Sequence, residues 1–124
     1  MEYIRKQFGT LKERILEPRK FMQVVAGPRQ VGKSTLVGQV LEQVSIAHVI
    51  EVADGIDPKD IDWIHRIWEA ARATMMIRGI EEYLLVIDEV QKIENWSEMV
   101  KREWDADTRN RLNLKVVQIG RAHV

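Results

Sequence analysis

The sequence has no cysteine, only three prolines and an aromatic content of 6%. The absence of cysteine excludes disulfide bonds, thiolate metal sites and a cysteine nucleophile, and it suits a reducing cytosol. Net charge is also absent, because 19 Lys and Arg balance 19 Asp and Glu. This balance argues against a broad basic surface for nucleic acid or anionic lipid. Since no apolar run approaches the roughly 20 residues of a membrane span, we expect a cytoplasmic protein that does not insert into membranes.

The amino-acid composition is that of one folded domain. Its 124 residues are 45% hydrophobic and 31% charged, which is ordinary for a globular domain and unlike a disordered chain. Two full domains are excluded by this length.

Helical and strand-like patterns alternate along the chain. The periodicity predicts helices over 2–16, from Lys33 to Val44, from Asp57 to Gly79 and after Asn95, and strands over 21–26, 47–52, 83–87 and from Leu114. We expect the 21–26 strand to be buried on both faces, Asp57 to cap a helix that has Pro58 at its first position, and Asn95 with Glu98 to form a capping box. The alternation predicts an α/β fold with a parallel sheet flanked by helices.

The segment after the first predicted strand fits the pattern G-x-x-x-x-G-K-[ST]. It reads Gly27, Pro28, Arg29, Gln30, Val31, Gly32, Lys33, Ser34, followed by Thr35. Glycines let successive backbone N–H groups point at phosphate oxygens, and the start of the next helix adds the positive end of its dipole. In such a phosphate loop Lys33 contacts the β- and γ-phosphates, and the Ser34 hydroxyl binds Mg²⁺.

The predicted third strand ends in two carboxylates. Apolar residues 84–87 lead directly to Asp88 and Glu89, at the sheet edge where ligands of α/β proteins bind. Together with the phosphate loop, this pattern predicts Asp88 as a Mg²⁺ ligand and Glu89 as the general base that activates water.

These motifs resemble those of AAA-type ATPases of bacteria and archaea whose loop reads GPRQVGK followed by Ser or Thr. The likeness continues through residues 68–72 (WEAAR), 85–93 (LVIDEVQKI) and 96–101 (WSEMVK), and it covers about residues 3–117. The resemblance implies an AAA-type P-loop core that uses ATP and Mg²⁺. It also implies that the fourth strand lies between the phosphate-loop strand and the Asp88 strand.

The same resemblance implies further parts beyond the fourth strand. In the family, that strand ends in a Gly-Ser-Ser-like triplet that senses the γ-phosphate, and a fifth strand, an arginine finger, a lid and a C-terminal domain follow. Assembly into a homo-oligomer is a further expectation. The triplet is missing here, since Val117 is followed by Gln118, Ile119 and Gly120. We therefore expect these 124 residues alone to bind Mg-nucleotide weakly and to turn it over slowly.

The last six residues, Ile119 to Val124, have a second interpretation. They match the translation of ATC-GGA-AGA-GCA-CAC-GTC, the beginning of a widely used sequencing adapter. We therefore expect residues 1–118 to be the N-terminal part of an AAA-type ATPase domain, with both phosphate-loop and carboxylate motifs. Residues 119–124 are then expected to be a non-native tail from adapter read-through.

Three functions are compatible with these motifs. The first is Mg²⁺-dependent ATP hydrolysis, and the second is a nucleotide-dependent switch in which binding matters more than turnover. The third is a small-molecule kinase, although a glutamate beside the metal aspartate favours activation of water. A GTPase is disfavoured because the sequence has no Asn-Lys-x-Asp segment. The biological process, and whether nucleic acid is involved, do not follow from these residues.

Other polar residues are interpreted as structural. Asp54, Asp57, Asp60 and Asp62 lack the spacing of a calcium-binding loop and are predicted to cap helices or to lie in solvated turns. The three histidines have no metal-binding spacing. The mixed charges between Glu98 and Arg111 are predicted to form an exposed helix face, which includes Glu103 and Asp107.

Overall fold

A computed structural model describes residues 2–27 and 33–121; within these ranges the side chains of residues 2–5, 7, 26, 27, 33–35 and 121 are not described. Four helices, four strands and one 3₁₀ turn follow one another in the described parts. They are α1 (Glu2–Leu16), β1 (Gln23–Gly27), α2 (Lys33–Gln43), β2 (Ala47–Val52), α3 (Trp63–Arg78), β3 (Tyr83–Asp88), the 3₁₀ turn (Val90–Lys92), α4 (Trp96–Arg109) and β4 (Leu114–Arg121).

The strands form one parallel sheet in the order β1-β4-β3-β2. The predicted α/β fold is therefore confirmed, and so is the implied position of β4 between β1 and β3. Because all four strands are parallel, their carboxyl ends lie at the same edge of the sheet. The ends of β1 and β3 are thus brought to one side of the molecule.

Two helical layers cover the sheet. On one face α3 and α4 pack against alternate residues of the central strands, among them Leu85 and Val116. On the other face α1 and α2 pack against the residues in between, such as Leu84 and Val117. The alternation of β3 residues between two cores explains why the 83–87 run is continuously apolar, since both of its faces are buried.

The edge position of β1 corrects one prediction. Val25 is only 7% exposed, but Val24 on the opposite face is 63% exposed. In the described parts of the chain β1 pairs with β4 alone. Therefore β1 is buried on one face and is not the fully buried strand that its composition predicts.

The predicted start of the third helix is also wrong. The helix begins at Trp63, not near Asp57. The Asp57 carboxylate accepts the backbone N–H of Lys59 at 2.9 Å, and the Pro58 carbonyl accepts the N–H of Glu94 at 2.8 Å. These bonds hold the segment in turns, because a short polar side chain and a distant donor replace the helical hydrogen bonds. The predicted end is confirmed, since Gly79 adopts a left-handed φ of 63° as the C-cap.

The start of α4 differs in a smaller way. Asn95 precedes the helix as predicted, but its φ of 58° is left-handed and its side chain makes no capping hydrogen bond. The predicted capping box is therefore not formed, because an N-cap residue caps from the extended region of backbone conformation.

Two basic side chains fix the position of α1 and the segment after it. Lys115 of β4 is buried and donates to the Ile15 carbonyl at 2.7 Å, which satisfies an acceptor in the last turn of the helix. The guanidinium of Arg19 lies 3.5 Å from the Trp104 ring centroid and donates to the Leu114 and Trp104 carbonyls at 2.8 and 3.0 Å. Burial lowers the pKa of Arg19, and the negative charge of Asp107 partly opposes this change.

Candidate functional site

The predicted phosphate loop connects the end of β1 to the start of α2. Gly27 is the last residue of β1 and Lys33 is the first of α2, as the motif requires. The predicted binding residues between them, Pro28, Arg29, Gln30, Val31 and Gly32, lie outside the described residues.

The beginning of α2 has the features of an anion-binding helix end. Lys33, Ser34 and Thr35 form its first turn, and this turn contains no acidic residue. The first backbone N–H groups of a helix have no partner within the helix. Since α2 has 11 residues, the aligned dipoles add a positive potential at this end.

The two predicted carboxylates lie at the end of β3. Asp88 is its last residue, and Glu89 follows with a left-handed backbone of φ 58° and ψ 34°. This conformation is uncommon for a residue other than glycine. The Glu89 N–H donates to the Ile119 carbonyl at 2.9 Å, and its carbonyl accepts the Lys92 N–H at 3.1 Å. The main chain at Glu89 is therefore fixed from both sides.

The strand register shows how the loop and the carboxylates are related. Gly27 pairs with Arg121, and Asp88 pairs with Ile119. Because Arg121 is two residues beyond Ile119, β1 extends about 6.6 Å further than Asp88 along the strand direction. With β4 between them, the axes of β1 and β3 are roughly 10 Å apart. This arrangement places the end of β1, where the predicted loop starts, and the β3 carboxylates at the same edge with one strand between them.

Gln91 is a polar residue of the same edge that the sequence reasoning missed. Its Nε2 donates to Oε2 of Glu89 at 2.6 Å, while its own Oε1 is buried and has no hydrogen-bond partner among the described residues. The sequence alone does not predict this contact. The side chains of residues 89 and 91 can meet only if the main chain turns at Glu89, and nothing in the residue types indicates that turn.

The segment between β2 and α3 borders this edge. The Ala53 N–H donates to the Asp88 carbonyl at 2.9 Å, and Asp54 forms an ion pair with Lys92 of the 3₁₀ turn. Asp60 forms two hydrogen bonds with Arg66, at 3.1 and 2.6 Å. These contacts give Asp54 and Asp60 structural roles in this segment.

A second carboxylate cluster, which the sequence did not predict, lies between α3 and α4. Glu103 and Asp107 are 5% and 1% exposed, so the predicted exposed charged face of α4 is wrong at both positions. Arg72 of α3 donates to Asp107 at 2.8 Å and to Glu103 at 2.9 Å. Trp68 donates its indole N–H to Asp107 at 2.7 Å. Helix periodicity alone does not show that two carboxylates face a partner helix.

The electrostatics of this α3–α4 cluster are those of a saturated ion network. Burial lowers the pKa of Arg72, but the hydrogen bonds and negative charges of Asp107, Glu69 and Glu103 outweigh burial and raise it. Within the described parts of the chain, His65, Glu69 and Glu103 are close enough to hold a metal ion, with ligand atoms within 4.8 Å. Arg72 already binds both of these carboxylates, so the cluster is explained by ion pairing.

A parallel sheet with a phosphate-loop motif and two carboxylates at one edge is the arrangement of an AAA-type, ATPase-like module. A family model described as an AAA domain matches residues 19–120, which include all four strands. The chain therefore belongs to the AAA domain family. A comparison with curated proteins found no match. None of the helices described by the structure is long and apolar enough to cross a membrane.

Proposed function

We propose that this AAA domain binds ATP with Mg²⁺ and hydrolyses it. The observation that supports this proposal most strongly is the strand order. It brings the start of the G-x-x-x-x-G-K-[ST] segment and the Asp88–Glu89 pair to the same sheet edge, with one strand between them. The parallel direction of the strands places both motifs at one edge, and the order β1-β4-β3 separates them by a single strand.

The phosphate loop supplies the binding groups in this proposal. In it, backbone N–H groups between Gly27 and Thr35, except at Pro28, which has none, donate to the phosphates, and Lys33 donates to the β- and γ-phosphate oxygens. Oxygen ligands from Ser34 and Asp88 suit Mg²⁺, which prefers hard oxygen donors. The metal ion, when bound, neutralises charge that develops on the phosphate oxygens.

Glu89 is the proposed general base. The oxygen of a water molecule attacks the γ-phosphorus, and its proton passes to the Glu89 carboxylate. The bond between the γ-phosphorus and the bridging oxygen breaks, so that ADP and inorganic phosphate leave. Support comes from the position of Glu89 immediately after Asp88, and from a main chain that is held by hydrogen bonds on both sides.

The test is a single-turnover assay with the protein in excess over ATP that carries a labelled γ-phosphate. We expect slow release of phosphate to water, slowed further by about 10²–10⁴-fold in Glu89→Gln. ATP binding is retained in Glu89→Gln and lost in Lys33→Ala. The proposal is contradicted if Glu89→Gln hydrolyses ATP as fast as the unchanged chain does.

The same assay separates the alternatives. ATP binding without phosphate release supports a nucleotide-dependent switch. Label that appears on an added small-molecule acceptor, and not as free phosphate, supports a kinase.

A further inference from the structure

We propose that Gln91 is a positioning residue that orients the Glu89 carboxylate for hydrolysis. Its amide holds Oε2 of Glu89, so that Oε1 is the oxygen that accepts the proton of the attacking water. This inference rests on the function proposed above, and it names which atom of Glu89 acts and what holds it there.

The geometry of the turn after β3 supports this role. The distance from Gln91 Nε2 to Glu89 Oε2 is 2.6 Å, which is shorter than an ordinary N–H···O hydrogen bond, and an ionised acceptor shortens such bonds. The left-handed backbone of Glu89 and the bond from Lys92 N–H to its carbonyl close the turn. As a result, the side chains of Glu89 and Gln91 lie on the same side of the turn and contact each other. Oε1 of Glu89 makes no hydrogen bond to another described residue, and it is therefore available for the proton.

The orientation of the Gln91 amide follows from the same contacts. A reversed amide would place its oxygen against the Glu89 carboxylate, where two acceptors repel each other. In the observed orientation Oε1 of Gln91 is buried without a partner among the described residues. A buried acceptor without a donor destabilises the fold. Among the described residues, the Gln91 amide is therefore oriented by Glu89 and not by a donor to its own oxygen.

Residue 120 of this chain leaves space for the Gln91 amide. A Cβ added at Gly120 would lie 3.0 Å from Oε1 of Gln91, so a side chain there would push the amide. The two residues of the proposed contact, Glu89 and Gln91, both lie within 1–118.

The first part of the experiment detects the contact without ATP. In ¹⁵N-labelled protein the Gln91 side-chain amide should show a downfield proton and slow hydrogen exchange. Both signs should disappear in Glu89→Ala and persist in Glu94→Ala, since Glu94 is an exposed carboxylate in the same segment. A Gln91 amide that resembles the exposed Gln43 amide in the unchanged chain would overturn the proposal.

The second part measures rate and stability together in Gln91→Leu. The leucine keeps most of the volume but removes both the donor and the unpaired acceptor. We expect single-turnover hydrolysis to be about 10–100-fold slower, with unchanged ATP affinity and a midpoint of thermal unfolding equal to or above that of the unchanged chain. The matched control Gln43→Leu, at an exposed glutamine, should change none of these quantities.

The two parts distinguish the possible failures. If Gln91→Leu loses stability and rate together, Gln91 is structural and the positioning role is wrong. If its rate is unchanged, the role is also wrong. If the unchanged chain binds no ATP, the proposed function fails and the role fails with it, while the amide spectra still report whether Gln91 holds Glu89.

Discussion

Two groups of carboxylates in this domain are partnered in opposite ways. At the sheet edge, Glu89 is half-buried, receives one hydrogen bond from a neutral amide and keeps one oxygen without a described partner. Between α3 and α4, Asp107 is buried and both of its oxygens accept hydrogen bonds, from Arg72 and Trp68. The comparison separates a carboxylate whose hydrogen bonds hold two helices together from one that keeps an oxygen for the proton transfer proposed above.

The difference also appears in the backbone. Asp107 is in a regular helix, while Glu89 has a left-handed conformation that costs free energy unless the surroundings enforce it. Substitutions in the two regions should therefore affect different quantities, stability in one and chemistry in the other.

The largest effect on stability is expected from Asp107→Ala. This change leaves the Arg72 guanidinium and the Trp68 indole N–H without a buried acceptor. Removing one partner of a buried ion pair costs about 3–5 kcal/mol, which urea denaturation can measure. Asp105→Ala is the matched control, because the side chain of Asp105 is 44% exposed and pairs only with Lys101 among the described residues. The control should lose less than about 1 kcal/mol.

A smaller effect is expected from Arg72→Lys. The guanidinium donates from three nitrogens to Asp107, Glu69, Glu103 and the Glu103 carbonyl, and a single ammonium group cannot reproduce this geometry. We expect the free energy of unfolding to fall by about 1–3 kcal/mol. A lysine variant as stable as the unchanged chain would show that charge alone holds α3 to α4.

Glu89→Gln should change stability very little. The substitution keeps the shape of the side chain and removes a charge that is not paired with a described cation, so the free energy of unfolding should stay within about 0.5 kcal/mol. The measurement is the same urea denaturation. A loss comparable to that of Asp107→Ala would remove the distinction between the two groups of carboxylates.

The smallest effect concerns the exposed pair of Asp60 and Arg66. The hydrogen bond from Arg66 holds the pKa of Asp60 below its ordinary value of 3.8. Because the pKa is lower in the folded state, the pair stabilises the fold above pH 3.8, and this contribution is lost as the pH falls through the folded-state pKa. In Arg66→Gln the pKa of Asp60, measured by carbon NMR, should return toward its ordinary value, and an unchanged pKa would contradict this cause.

The fold follows closely from the sequence because local signals agree with one another there. The apolar run before Asp88 and the motif from Gly27 to Ser34 predict strands and a loop without knowledge of tertiary contacts. Since parallel strands end at one edge, the sequence also predicts that these motifs meet.

The features that were not predicted depend on contacts between distant segments. Asp57 fails to start α3 because Glu94 engages the neighbouring Pro58 carbonyl. Glu103 and Asp107 are buried because Arg72, more than 30 residues earlier, neutralises them. Gln91 contacts Glu89 because the backbone of Glu89 is left-handed, and the residue types in this segment do not predict that conformation. In each case a tertiary contact overrides a local preference.

The most direct test of the central claim is calorimetry of ATP binding, with Mg²⁺ and with a chelator, for the unchanged chain, Lys33→Ala and Asp88→Asn. We predict weak, saturable binding that tightens with Mg²⁺ in the unchanged chain. Lys33→Ala should lose binding under both conditions, and Asp88→Asn should lose only the gain from Mg²⁺. If the unchanged chain binds no ATP, or if Asp88→Asn keeps the full gain, the phosphate loop and the β3 carboxylates do not form one site.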